Sequence, residues 1–295
     1  MNKWKGCAGL LLATILCGSP AWSAPEEEEP KLLGRATAQQ LGEEPFAQWF
    51  SEGYGDYQPN PAVLASLREV DTEGVDITVF FGTWCSDSQR EVPRLLKLLD
   101  EMEFPAAQLT LVAVDGVDEA AKRSPDGEEK GLEIYRVPTV VVSRDNREVA
   151  RVVEHPVLSL ERDLLAILSG QSYQPNYISY PAVRRWLREG LLGDDNVSVH
   201  GLAGQVRHEV KSESEVAAAA RVLLSRGDIA QAVKLYRVNC SLYPQNSRAF
   251  ARLAAGLQQQ GETEEAHEMA EKALRLNTDP TRLKQLVELL DSTRE

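Results

Sequence analysis

Cys85 is the residue of this 295-residue chain best placed to do chemistry. It follows Asp76-Ile77-Thr78-Val79-Phe80-Phe81, a β-branched and aromatic run that reads as a buried strand. It opens residues 87–102, where Val92, Leu95, Leu96, Leu98 and Leu99 recur at helical spacing. A sulfur at the start of a helix meets free backbone N–H groups and the positive end of the helix dipole. Both favour the thiolate, the form that attacks disulfides. In the first turn Ser88 is expected to face Cys85, where its hydroxyl can hydrogen-bond a thiolate or a mixed disulfide. Asp87 reads as a cap on the free N–H groups. The other cysteines are Cys7, Cys17 and Cys240. Cys240 falls in a helical stretch where an apolar residue is wanted, so packing is its first reading. Resolving Cys85 is its second.

The elements that must position Cys85 follow in order. Short helices are expected at 45–50 and 61–70, around an aromatic, glycine-rich turn at 51–57. After the strand and its helix, Leu109 to Val114 reads as a second strand, and residues 118–129 as a weak helix. Val137 to Val142 and Glu148 to Val153 form a hairpin around Asp145-Asn146, and residues 158–168 an amphipathic helix stopped at Gly170. This is an α/β layout with a parallel and an antiparallel part. From residue 213 the chain is helical and repeats. Gly227, Ala232, Tyr236 and Pro244 return 34 residues later as Gly261, Ala266, Ala270 and Thr278. Residues 172–212, with three Tyr and one clear helix at 181–189, read as a connector with some packing of its own.

Phe80-Phe81-Gly82-Thr83-Trp84-Cys85 resembles the active-site approach of the thioredoxin family. Pro93 stands where that family kinks the helix, and Val137-Pro138-Thr139 matches its cis-proline loop. The resemblance spans residues 60–171. It implies a thioredoxin-like fold with Cys85 as nucleophile, and with Trp84, Val137 and Pro138 holding a client strand in extended form. Counted from the Asp145-Asn146 turn, His155 falls where thioredoxins carry a glycine beside the groove. A His there can pair with the thiolate or protonate a leaving thiol, or it can be a surface residue after a strand. The chain departs from the family at Ser88, where thioredoxins have their second cysteine, and at Val79, where they bury an acid. Ser cannot release a mixed disulfide as a thiolate does. A peroxiredoxin pattern also fails, since Gly82 and Thr78 stand where that family has Thr and Pro. The 34-residue period resembles the tetratricopeptide repeat.

The ends and the charge bound the rest. Residues 1–23 read as a signal peptide: Lys3 and Lys5, an apolar run from Cys7 to Gly18, then Ala21 and Ser23 as the small residues before the cut. An uncleaved anchor and a lipid on Cys17 are the alternatives. Cleavage takes the net charge from −13 to −15 and leaves Cys85 and Cys240, with no stable membrane anchor expected. Strong acidity argues against a nucleic-acid partner. His200, His208 and His267 show no ligand spacing, so neither metal nor cofactor is expected. The domains are then 1–23 signal peptide, 24–59 N-terminal extension, 60–171 thioredoxin-like, 172–212 connector and 213–292 tetratricopeptide-like repeats. The expected function is that of a secreted, periplasmic thiol protein. Cys85 would form mixed disulfides with protein clients, and the repeats would bind a partner. The alternative is a redox-inactive adaptor acting through its repeats.

Overall fold

The computed structural model describes residues 30–116 and 121–294; residues 1–23 therefore lie outside it. A five-stranded mixed sheet forms first, from β1 (Gly34–Ala36), β2 (Val75–Phe81), β3 (Leu109–Ala113), β4 (Thr139–Arg144) and β5 (Arg147–Val153). The order across it is β1-β3-β2-β4-β5. β2 lies at the centre, parallel to β3 and antiparallel to β4, and the outer pairs β1–β3 and β4–β5 are antiparallel. Asp145 and Asn146 both take left-handed φ (52° and 61°) in the β4–β5 hairpin. That is the conformation a tight two-residue hairpin requires and Asn and Asp tolerate.

Helices cover the sheet as the alternation of its strands dictates. Ile77, Val79 and Phe81 of β2 point to one face, where Leu95, Leu98 and Leu99 of α4 (Ser86–Glu101) and Leu164 of α5 (Leu160–Leu168) complete the main core. Phe80 points to the other face and packs with Val112, Val114, Ile134, Val137 and Val141. Before β2 come α1 (Ala38–Leu41), α2 (Ala47–Asp56) and α3 (Pro61–Arg68). α3 is capped by Asn60, with Pro61 at its first position.

Three local expectations are corrected. Residues 51–56 continue α2 instead of turning, because Trp49, Phe50 and Tyr54 pack into the main core. Gly53 lies against Pro93 of α4, where an added Cβ would stand 3.1 Å away. Residues 121–132 run as turns and not as the second half of a helix, Lys122 having a left-handed φ of 62°; residues 118–120 lie outside the described residues. The connector holds two helices, α6 (Ser179–Arg188) and α7 (Val199–Val206). The second, with two glycines, is capped by Ser198 and held by burial of Leu202, Ala203 and Val206.

The C-terminal region is all helical: α8 (Glu213–Ser225), α9 (Ile229–Leu242), α10 (Ser247–Gln260), α11 (Thr263–Leu276) and α12 (Leu283–Ser292). The 34-residue spacing has a physical basis. Gly227 and Gly261 take φ near +85° after α8 and α10, and Ala232 and Ala266 are fully buried one turn into the following helix. The core of this region takes in α6 and α7, and also Tyr135 and Val153 at the end of the sheet. An arginine closes that junction. Arg136 donates to both oxygens of Glu154 beyond β5 (2.8 and 3.1 Å), to Tyr180 Oη of α6 (2.8 Å), and to Ser214 O and Oγ of α8. Its guanidinium also covers the Tyr177 ring at 4.3 Å. Arg136→Met would strand the half-buried Glu154 carboxylate, and leaving such a group unpaired costs on the order of 1–3 kcal/mol. Chemical denaturation should read that loss, with faster hydrogen exchange in α6 and α8. Arg136→Lys should not recover it, since an ammonium cannot reproduce the fork.

Candidate functional site

Cys85 occupies the N-cap position of α4 with extended backbone (φ −98°, ψ 120°), and its carbonyl accepts the Gln89 N–H at 2.9 Å. The sulfur is partly exposed and unbonded to any other sulfur. Its S–H donates to Val137 O at 3.4 Å. The Val137–Pro138 peptide is cis, and Pro138 O accepts the Glu154 N–H at 2.6 Å. The strand before α4 and the loop before β4 thus deliver sulfur and proline loop to one spot.

Trp84 lies beside them, 38% exposed, with its indole N–H donating to Val114 O at 2.9 Å. Its ring packs flat on backbone: a Cβ on Gly82 or on Gly116 would come within 2.5 Å of ring atoms. Only glycine tolerates that approach. On the ring sits Lys122, its ammonium 4.1 Å from the ring centroid.

Sulfur, indole and ammonium open into a cleft of about 300 Å³ that the first turns of α8 roof with Ser214, Ala217 and Ala218. Four cations line it, Lys122, Arg136, Arg221 and Arg252, against one carboxylate, Glu154. In a chain of net charge −13 this is a local reversal of sign. Arg136 is engaged as above, and Arg252 is paired with Glu213. The Lys122 ammonium and the Arg221 guanidinium have no hydrogen bond or ion pair among the described residues, although Lys122 is only 5% exposed. Burial, then the neighbouring Arg221, pushes the Lys122 ammonium from its ordinary 10.5 down to about 8. For Arg136 burial works the other way, yet Tyr180 and Glu154 outweigh it and hold the guanidinium above its usual value.

The structure brings Cys85, Trp84, Val137 and Pro138 together. Ser88 is fully buried under the first turn of α4, where its hydroxyl accepts the Gly82 N–H at 3.2 Å; no bond to the sulfur is present among the described residues. It braces the strand–helix junction. His155 stands outside the cleft. Its ring is 46% exposed, edge-on to Tyr177, with Nδ1 4.0 Å from Glu154. The left-handed φ of Glu154 (64°) turns the chain there, so it is Glu154 that lines the thiol cleft. Cys240 is buried in the helical core, and burial pushes its thiol up to about 12. It stays protonated near neutral pH, a poor attacking group.

Lys122, Glu154 and Arg221 were not legible as site residues. The first lies in a polar stretch that reads as weak helix, and the third on a helix far along the chain. Glu154 had a weak signal as the neighbour of a position the motif reached. Among the described residues no group of three or more His, Cys, Asp or Glu is placed to hold a metal.

The buried ammonium makes a prediction about stability. Between pH ~8 and ~10.5 the unfolded chain holds more protons at Lys122 than the folded chain does. The contribution of this group to stability therefore rises across that window, and below it a constant penalty remains. Lys122→Met should stabilise the fold near pH 7 by on the order of 1–3 kcal/mol, the lost contact with Trp84 offsetting part of the gain. The difference from wild type should shrink as pH rises to ~10.5, read by denaturant titration at several pH values. Compared with protein-family models and with curated proteins, this chain has no match in either.

Proposed function

We propose that the chain is a thioredoxin-like thiol protein, exported to the periplasm, that exchanges disulfides with protein clients through Cys85. The observation that carries this reading is the meeting of three features. Cys85 is the N-cap residue of a sixteen-residue helix, its sulfur touches the Val137 carbonyl, and a cis Val137–Pro138 peptide lies beside it. A client sulfur approaching along the cleft would be attacked by the Cys85 thiolate, forming a mixed disulfide and expelling the partner thiol. Ser88 supplies no second thiolate, and Cys240 is held protonated by burial, so release falls to a thiol from outside or from the client. Trp84 and Pro138 give the client an apolar wall. The helical region, read as tetratricopeptide-like repeats, orients it. Export rests on residues 1–23. Among the described residues no helix is long and apolar enough to cross a membrane.

A second reading has an observation of its own. A polar groove of about 430 Å³ in the helical region is lined by Ser212, Glu213, Asn246, Arg248, Asn277 and Arg282, and no thiol lines it. It suits an adaptor that binds a peptide without redox chemistry.

Trapping separates the two. Under mildly oxidising conditions, disulfide-linked adducts should form with wild type, persist with Cys240→Ala and vanish with Cys85→Ala. Loss with either substitution, together with a mapped Cys85–Cys240 bond, would replace the monothiol scheme by an interdomain pair. No adduct from any of the three proteins would favour the adaptor.

A further inference from the structure

Lys122 is an unusual residue to find buried. A lysine loses stability when its ammonium is taken from water, and such groups are normally paired. Here the ammonium is covered on one side by the Trp84 ring and has neither hydrogen bond nor ion pair among the described residues. Its opening is into the cleft that holds the Cys85 sulfur. Arg221, on the α8 wall of the same cleft, likewise makes no side-chain hydrogen bond or ion pair among the described residues, and its like charge acts on Lys122. Packing alone gives no reason for this arrangement, because Met in place of Lys122 would satisfy the Trp84 face without a buried charge.

We propose that Lys122 and Arg221 form an anion subsite that selects thiol or disulfide partners carrying a carboxylate close to the reacting sulfur. The inference rests on the proposed exchange at Cys85 and names its substrate class. A carboxylate between the two cations would supply the missing counter-charge and set the neighbouring sulfur over Cys85. Arg136 and Arg252, already held by Glu154 and Glu213, shape the field without being free to bind. Glu154, the one carboxylate lining the cleft, would repel a second carboxylate and so give the ligand a direction. The step is a simple exchange. The Cys85 thiolate attacks one sulfur of R–S–S–R, the S–S bond breaks, Cys85–S–S–R forms, and R–S⁻ leaves to take up the proton that Cys85 gave to solvent. The carboxylate can belong to a small thiol acid or to an Asp or Glu beside a cysteine in a peptide.

The test uses the full chain and a charge series of disulfides: dithiodipropionate (anionic), hydroxyethyl disulfide (neutral) and cystamine (cationic). Each rate of adduct formation at Cys85, located by peptide mapping, is divided by the rate of the same reagent with N-acetylcysteine amide. This ratio removes the intrinsic difference in leaving groups. Wild type should prefer the anionic over the cationic reagent by about tenfold or more at low salt, and the preference should fall as salt is added. Lys122→Gln with Arg221→Gln should bring the ratio to within about twofold, while Lys122→Arg should retain most of it. A flat charge series in wild type, or an unchanged preference in the double variant, overturns the subsite. Two disulfide-linked peptides, Asp-Cys-Glu and Lys-Cys-Lys, separate the sources. Faster reaction of the acidic peptide than of dithiodipropionate assigns a peptide ligand, and the reverse assigns a small acid. A sulfur-free readout keeps the subsite distinct from the thiol chemistry. Asp-Ser-Glu should shift the Trp84 indole N–H resonance, assigned with Trp84→Phe, and should cease to do so in the double variant. If no disulfide reacts but this shift is seen, the exchange reading fails and the anion site stands. If disulfides react but no shift and no charge preference appear, the anion site fails and the exchange reading stands.

Discussion

The guanidinium of Arg136 is the contact on which the thiol site depends. It lies immediately before Val137 and Pro138, and it joins the loop carrying them to Glu154 after β5, to Tyr180 in α6 and to Ser214 in α8. A planar, permanently charged fork can hold a carboxylate on one edge and neutral oxygens on the other. That single group therefore fixes the proline loop against the sulfur and brings the first helix of the C-terminal region over it. Without α8 the sulfur would lie open at the C-terminal end of the central strand. With it, Cys85 is at one side of a roofed, positively charged cleft.

The charge in that cleft sets the character of the site. The chain as a whole is strongly acidic, so long-range attraction does not draw anions to it. Cations gathered in a small cleft would act on a ligand over a few ångströms, and partial burial, as at Lys122, strengthens them there. Lys122 is destabilising as a buried charge, and its contact with the Trp84 ring offsets only part of that cost. In the proposed anion subsite that cost is stability traded for binding.

Legibility followed the reach of each interaction. The strand β2, the helix α4, the β4–β5 hairpin and the helical C-terminal region were readable because each is set by local spacing: period-two alternation, an i to i+4 apolar face, paired left-handed turn residues. The outcome in structure is a five-stranded mixed sheet with helices, followed by a helical region. The misreadings lie where a distant surface overrides local preference. Glycines at 53 and 55 argued for a turn, but the aromatic residues of α2 have a core to bury against. Two glycines in α7 hid a helix held by its buried Leu202 and Val206. The polar stretch after β3 has weak helical spacing, but Lys122, Gly127 and Gly131 take left-handed φ and break it into turns.

For the site the division is sharper. The residues themselves determined that a cysteine would follow a strand and stand at the start of a helix, that Ser88 would stand one turn on, and that Val137-Pro138 would adjoin a strand. These are matters of adjacency along the chain. Which groups surround the sulfur was decided only by tertiary structure. Ser88 turned inward to Gly82 because the strand–helix junction left a backbone N–H to satisfy. Glu154 displaced His155 from the cleft because one left-handed residue reversed the chain. Lys122 and Arg221, 99 positions apart by their numbers, became neighbours because α8 was drawn across the end of the sheet. Contacts between residues so far apart leave no periodic trace for a reader of the sequence, since they depend on where whole elements pack and not on what lies beside them in the chain.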